Sequence, residues 1–514
     1  MHASRIGKTA LLVLAVSGLM ACATPRGQQP QGIGLEHAHV DAVLNRITWG
    51  VNTTSYREAA AGGIERYIHE QLHPGSDGLP AAVQAQIGAM TITQRPMNEL
   101  VIQLEHRRRQ LDAITNDDEK RAAQHDYQEE LSLLAREAAA RSLLRDVYSH
   151  NQLLEQMTWF WMNHFNIHQG KQNLRAMVGD YEEHAIRPHA LGKFRDLLRA
   201  TVYHPAMLRY LDNERNAANH INENYARELM ELHTLGVDAG YTQKDVQELA
   251  RILTGLGINL EAAMPPVRRN LQDQYVRQGL FEFNPNRHDY GNKVLLGTTV
   301  HGRGLQEVEE AIDMLCRHPA TARFISRKLA LYFIGDAPPA ELVERMAHTF
   351  TRTDGQIAAT LEALFSSPEF RQSLGHAFKD PIHYVVSAVR LAYDQKPLLN
   401  PHPMIGWLNR MGEPLYGRQT PDGYPLSPSS WASSGQMATR FEIAKVIGAG
   451  SAGLFKAEGR QAQEHPAFPQ LANALYFDAL QKSFSATTRL ALEQAASQQE
   501  WNMFLLSSPE FMRR

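Results

Sequence analysis

Apolar residues recur at helical spacing along most of the chain. After Thr242, the positions Val246, Leu249, Ala250 and Leu253 follow the i, i+3, i+4, i+7 template, and Gly255 and Gly257 close the run. The same spacing predicts helices over Val40–Asn45, Ile64–Gln71, Leu153–Phe165, Phe194–Ala200, Gly304–Cys316, Ala320–Phe333, Ala340–Phe350, Ile357–Phe365, Ile382–Tyr393 and Ala486–Leu506. The charged stretch Asn98–Tyr148 is helical in pattern, and Glu105–Arg141 within it, rich in Glu, Arg, Gln and Ala, predicts an exposed helical hairpin. Strand patterns are few. Phe281–Phe283 and Val294–Leu296 are expected to pair across the turn-rich stretch between them. The expected fold class is therefore mainly α: a large multi-helical domain over residues 35–514 with a minor β-hairpin near 281–297. Residues 262–280 and 412–430, with Pro, Gly and Ser, read as long surface loops or lobe boundaries. Ser366-Ser-Pro-Glu-Phe370 recurs as Ser507-Ser-Pro-Glu-Phe511, which a repeated structural turn explains.

The N-terminus changes the compartment. Arg5 and Lys8 precede a short apolar run, Ala10–Leu19, and Leu19-Met20-Ala21-Cys22 follows. This resembles a lipoprotein leader: residues 1–21 would be removed and Cys22 lipidated, with residues 22–34 as a flexible tether. Acyl chains then anchor the protein at about 0.8 kcal/mol per buried methylene. Ala23 after the cysteine resembles the pattern sent to an outer membrane, so the expected place is the cell envelope, facing the periplasm or the cell surface. The rival reading is an ordinary secreted protein with an accidental cysteine. A hydrophobic content of 43% and a charged content of 21% are those of a globular protein. A net charge of −3 offers no basic face for nucleic acid, which is not an expected partner. The chain has two cysteines, and lipidation consumes one. Cys316, on the apolar stripe Val308, Ala311, Ile312, Leu315, is expected to be a buried inert thiol.

Several polar clusters are candidates for chemistry. His164 and His168 in Trp159–His168 are spaced i, i+4, which on one helical face can chelate a metal. The Glu of the metalloprotease helix is missing between them, and two core histidines explain the pair as well. On the Asn222–His233 helix, Asn224, Arg227, Glu228 and Glu231 make one polar stripe, which suits a cleft-lining network or a solvated face. Asp212 and Asn213 form a smaller element nearby in sequence. In the turn-rich loop, His288, Asp289 and Lys293 suit ligand or metal binding, and an Asp-capped turn is the alternative. Arg187 and His189 are further ligand-binding candidates.

The chain also resembles the DUF1800 family of unknown function. The matching pieces are Leu44–Gly50, Phe160–Asn166, Ala185–Phe194, His204–Leu208, Tyr210–Asn213, Asn222–Glu228, His288–Lys293, Phe324–Lys328 and Pro421–Pro425 with Trp431 and Arg440. Asn-Glu-Asn-Tyr-Ala-Arg-Glu is the most specific of them, and Met162 stands where relatives often carry His or Phe. The resemblance implies an exported bacterial protein, often encoded beside a second exported family, DUF1501, which resembles sulfatases or alkaline phosphatases. It carries over no catalytic residues. Two function classes follow. One is an accessory or binding lipoprotein working with a DUF1501-like exported partner. The other is a metal-dependent hydrolase or oxidoreductase using Zn, Mn or Fe, with His164, His168, His288 and Asp289 as ligands and Asp212, Asn224, Arg227 and Glu228 in the cleft. Convergence or scatter of those ligand atoms separates the two.

Overall fold

Short-range capping chemistry starts many of the helices. Thr242 Oγ1 accepts the Asp245 amide at 3.2 Å, and the Asp245 carboxylate returns to the Thr242 amide at 2.8 Å. Asn116 accepts the amides of Asp118 and Glu119 and starts the longest helix, Asp117–Tyr148. The two Ser-Ser-Pro-Glu-Phe segments make the same bond: Ser367 and Ser508 each accept the amide of the Phe three residues on, at 3.1 Å. The first opens a helix, Pro368–Ser373, while the second makes only a turn after the helix Gln498–Ser507.

The computed structural model describes residues 40–456 and 468–514; the leader, Cys22 and residues 22–34 lie outside the described residues. The protein is mainly α with small sheets, and the described residues form a single compact unit. Helices Met97–Ala113 and Asp117–Tyr148 pack as the expected hairpin, the second passing from an exposed half to a buried one that includes Ala138, Leu143, Leu144 and Val147. That buried half abuts the helix Gln152–His164, in which every residue except Leu154 is buried. A second buried helix, Pro381–Tyr393, completes the centre. Among the described residues, no helix is long and apolar enough to cross a membrane.

Three expectations need correction. Phe281–Phe283 (β3) does not pair with the strand near 294. It lies between Leu256–Ile258 (β1) and Val276–Gln278 (β2) in an antiparallel order β1-β3-β2, with Leu256 opposite Phe283. Lys293–Leu295 (β4) pairs instead with Thr298–Val300 (β5) across a tight turn. The nearer partner wins because closing a short turn costs less chain entropy. The helix expected over Ala486–Leu506 is broken into Ala486–Glu493 and Gln498–Ser507, because Ser497 turns out to an extended conformation and accepts the Glu500 amide. Cys316 is half-buried at the helix end and not fully enclosed, although burial still pushes its thiol up.

Charged groups in the core are held by defined acceptors. Arg46, from the Leu44–Gly50 segment, is fully buried; it donates to Ser373 Oγ at 2.9 Å and to the carbonyls of Phe333, Ser373 and Arg514. Glu183 pairs with Arg145 and Arg141 of the long helix. Burial opposes its ionisation, but these guanidinium groups and Arg187 hold its carboxyl at about 2. A carboxyl depressed on folding contributes stability above its ordinary value of 4.5, which is lost as pH falls toward about 2. Acid titration of the full chain is expected to lower the unfolding free energy across that window by up to about 3 kcal/mol from this group. Glu183→Gln should flatten that part of the pH profile; an unchanged slope would show that the pair contributes nothing.

Candidate functional site

The helix Gln152–His164 ends in a turn whose side chains bind another segment's backbone. Phe165 leaves helical geometry, and the loop 412–430 crosses the turn at that point. Asn163 Nδ2 donates to the Tyr424 carbonyl at 3.0 Å, and the Tyr424 amide donates back to Asn163 Oδ1 at 2.6 Å. Asn166 Nδ2 donates to the carbonyls of Arg418 (3.0 Å) and Thr420 (2.8 Å), and Tyr210 OH donates to that of Gln419 (2.8 Å). Gly423, at φ +77°, lies so close that a Cβ would stand 2.7 Å from Asn163 Oδ1. Amide side chains suit this work because each offers a donor and an acceptor to a backbone with no sheet partner.

Beneath the turn lies a lysine between two histidines. His164 Nε2 is 3.0 Å from the His233 carbonyl oxygen, which can only accept, so Nε2 carries the proton. Nδ1 is then the acceptor, and Lys328 Nζ donates to it at 2.9 Å. Phe160 stacks parallel to the His164 ring, and Phe324 lies 5.6 Å beneath the Lys328 amine. Burial, with Lys328 next in effect, holds His164 neutral; burial and Lys328 hold His233 at about 3. Both ring nitrogens of His233 are buried without a hydrogen-bond partner. Burial lowers the Lys328 amine itself to about 8, with Asp422 opposing. Among the described residues this half-buried amine has no carboxylate within ion-pair distance. Glu228 stands half-buried, its carboxyl raised by burial, then by Glu231, and it also feels Asp422.

The other polar residues of the Asn222–His233 segment face elsewhere. The segment is a short helix, Asn224–Glu228, running into a π-helical stretch, Leu229–Thr234. Asn224 is exposed, and its Nδ2 donates to the Leu211 carbonyl at 3.2 Å; Asn222 Nδ2 reaches the Asp212 carbonyl at 3.4 Å. Asn213 binds the carbonyls of Leu253 and Leu256, and Asn216 that of Ala250. These amides therefore knit the 211–224 loop onto β1. Arg227 pairs with Glu223 and Glu231 on the surface, bonds worth a few tenths of a kcal/mol each. Asp212, in the left-handed region at φ 59°, pairs with Lys171 at 2.9 Å.

The loop candidates form a closed lock. His288 Nε2 meets Glu307 Oε1 at 2.9 Å, its Nδ1 meets the Thr254 carbonyl at 2.8 Å, and Lys293 pairs with Glu307 Oε2. The side chains of His288, Lys293 and Glu307 are fully enclosed. Asp289 binds Arg251 at 2.8 Å. Arg187 is clamped by Glu155 (2.6 Å) and Asp77 (2.7 Å), which hold its guanidinium charged despite burial. His189 lines a groove of about 500 Å³ with His184, His204 and Asp180. There Asp180 bridges His184 and His204 at 2.9 and 3.0 Å.

The metal-ligand candidates do not meet in this geometry. His164 and His168 do not share a helical face, because the helix ends at His164 and His168 lies beyond its cap, packed over Gly170. Both ring nitrogens of His164 and of His288 are committed, and Asp289 is held by Arg251. Among the described residues, no group of three or more His, Cys, Asp or Glu is placed to hold a metal ion.

The segments that meet at the Asn163–Asn166 turn are those of one family. The model of the family described as "Protein of unknown function (DUF1800)" matches residues 42–513. The chain belongs to the DUF1800 family. No curated protein and no solved structure matches it. Within this DUF1800 protein, sequence reasoning reached His164 and Glu228 but passed over Lys328, His233, Asp422 and Glu307. One signal for Lys328 was readable: it stands in the apolar stripe Ile325, Leu329, Tyr332 of the helix Pro319–Ile334, where a charge needs a reason. Glu307 occupies the third position of its helix, where its carboxylate also accepts the Gly304 amide.

Proposed function

We propose that this DUF1800 protein is an envelope-anchored accessory lipoprotein, tethered through Cys22, that binds an exported partner, a DUF1501-like enzyme being the expected one. One observation supports this reading above the others: the polar side chains of the family segments are spent on the protein's own backbone. Asn163 and Asn166 fix the loop that carries Asp422 beside the end of the His164 helix, and Asn213 and Asn216 fix the 211–224 loop onto β1 and the helix before it. A recognition surface needs such a fixed backbone, because each group ordered on binding costs affinity. The metal-dependent enzyme is disfavoured by the scatter of His164, His168, His288 and Asp289.

The test uses the full chain in detergent with a purified DUF1501-like protein encoded beside it. A stoichiometric complex, weakened by Glu228→Ala, is the expected result. No complex, together with a stoichiometric transition metal that His164→Ala removes, would overturn the reading in favour of the enzyme. The anchor is tested separately: Cys22→Ser should move the protein from the membrane to the soluble fraction. Retention of the variant on the membrane would refute lipidation there.

A further inference from the structure

Lys328 is an unusual amine. A half-buried lysine ordinarily lies against a carboxylate, since an unpaired ammonium loses solvation without compensation. Here the nearest polar partner is a neutral imidazole acceptor at 2.9 Å, with aromatic rings of Phe324 and Phe160 around the pair. The charged and titratable groups about it are His164 and His233, both neutral, Asp422 on the crossing loop, and Glu228, on which Asp422 also acts. His164 cannot rotate freely, because its other nitrogen is bound to the His233 carbonyl. The bond from Lys328 to Nδ1 therefore uses one N–H and leaves the nitrogen lone pair of the uncharged amine free.

The geometry points to Lys328 as a nucleophilic amine that captures a small carbonyl compound, an aldehyde or α-keto acid, as an imine. This goes beyond the binding of an exported protein partner and does not depend on it. In the step, the Lys328 lone pair forms a C–N bond to the carbonyl carbon, and the carbonyl π electrons move to oxygen. His164 Nδ1 takes the proton lost by nitrogen and returns it to that oxygen, giving a carbinolamine. The carbinolamine nitrogen then gives up its remaining proton, by way of His164, to the leaving hydroxyl, which departs as water and leaves the C=N bond. One amine and one carbonyl give one imine and one water, and nothing is oxidised. The burial that lowers the amine to about 8 raises the uncharged fraction at neutral pH over that of an exposed lysine.

The full chain in detergent, at limiting acetaldehyde or glyoxylate with cyanoborohydride to trap the imine, is digested and each lysine's adduct is quantified. Lys328 is expected to be modified about tenfold or more faster than the exposed Lys244 and Lys445, with a rate that levels off above a midpoint near its lowered value. His164→Asn, checked for native folding, should slow the Lys328 adduct and shift that pH profile while leaving the Lys244 adduct unchanged. Lys328→Arg should abolish the preferred adduct. Adducts spread over exposed lysines with Lys328 unmodified, or a Lys328 rate that keeps rising with pH like theirs, would overturn the inference. The partner complex described above can still form in that case, so the two failures are distinguishable.

Discussion

Glu307→Ala is expected to be the most damaging single substitution outside the apolar core, costing about 3–5 kcal/mol. Its carboxylate is enclosed, accepts His288 Nε2 at 2.9 Å and the amides of Arg303 and Gly304, and neutralises Lys293. Burial opposes its ionisation, but His288 and Lys293 hold the carboxyl below its ordinary range. Truncation strands a fully buried ammonium and leaves two backbone amides without an acceptor. Against a total stability of about 5–15 kcal/mol, that is a large share. Guanidinium unfolding of the full chain checks it. Glu307→Gln should lose less, because the amide oxygen still serves the backbone. The pair Lys293→Met with Glu307→Leu should recover part of the loss, since no charge is then left unpaired. A loss under about 1 kcal/mol in Glu307→Ala would show that the lock is open to water.

Gly423→Ala is the second large effect, and it acts at the candidate site. The residue sits at φ +77°, where a Cβ is strained, and that Cβ would press on the Asn163 carbonyl and Oδ1. Strain of about 1–3 kcal/mol adds to overpacking of about 1–3 kcal/mol. The chain relieves both by lifting the 418–425 loop from the Asn163–Asn166 turn, which breaks the Asn163–Tyr424 and Asn166–Thr420 bonds. Expected together are a lower melting temperature and faster proteolysis between Arg418 and Tyr424. A variant as stable and as protease-resistant as the parent would mean that the loop is not seated on the turn.

The two effects have one cause: polar residues of the family segments act through partners that the fold brings to them. His288, Asp289 and Lys293 have the composition of a ligand loop, yet their decisive partners are Glu307 and Arg251, on the helices that flank the loop. Asn222 and Asn224 look misplaced in a helix until the Asp212 and Leu211 carbonyls are beside them. Arg187, read as a ligand-binding residue, is consumed by Glu155 and Asp77. In each case the polar side chain meets a partner that the fold brings to it.

What the sequence by itself determined was the local order: the mainly α class, the hairpin of Met97–Ala113 and Asp117–Tyr148, and the capping serines of the repeated turn. Periodicity and caps depend on neighbours within a turn or two, so they are legible in one chain. Only the tertiary structure decided that β3 joins β1 and β2, that His168 falls beyond the helix end, and that Lys328 meets His164 across 164 residues. Those outcomes depend on long-range packing, in which burial removes water from a polar group and leaves it only the partner that the fold supplies.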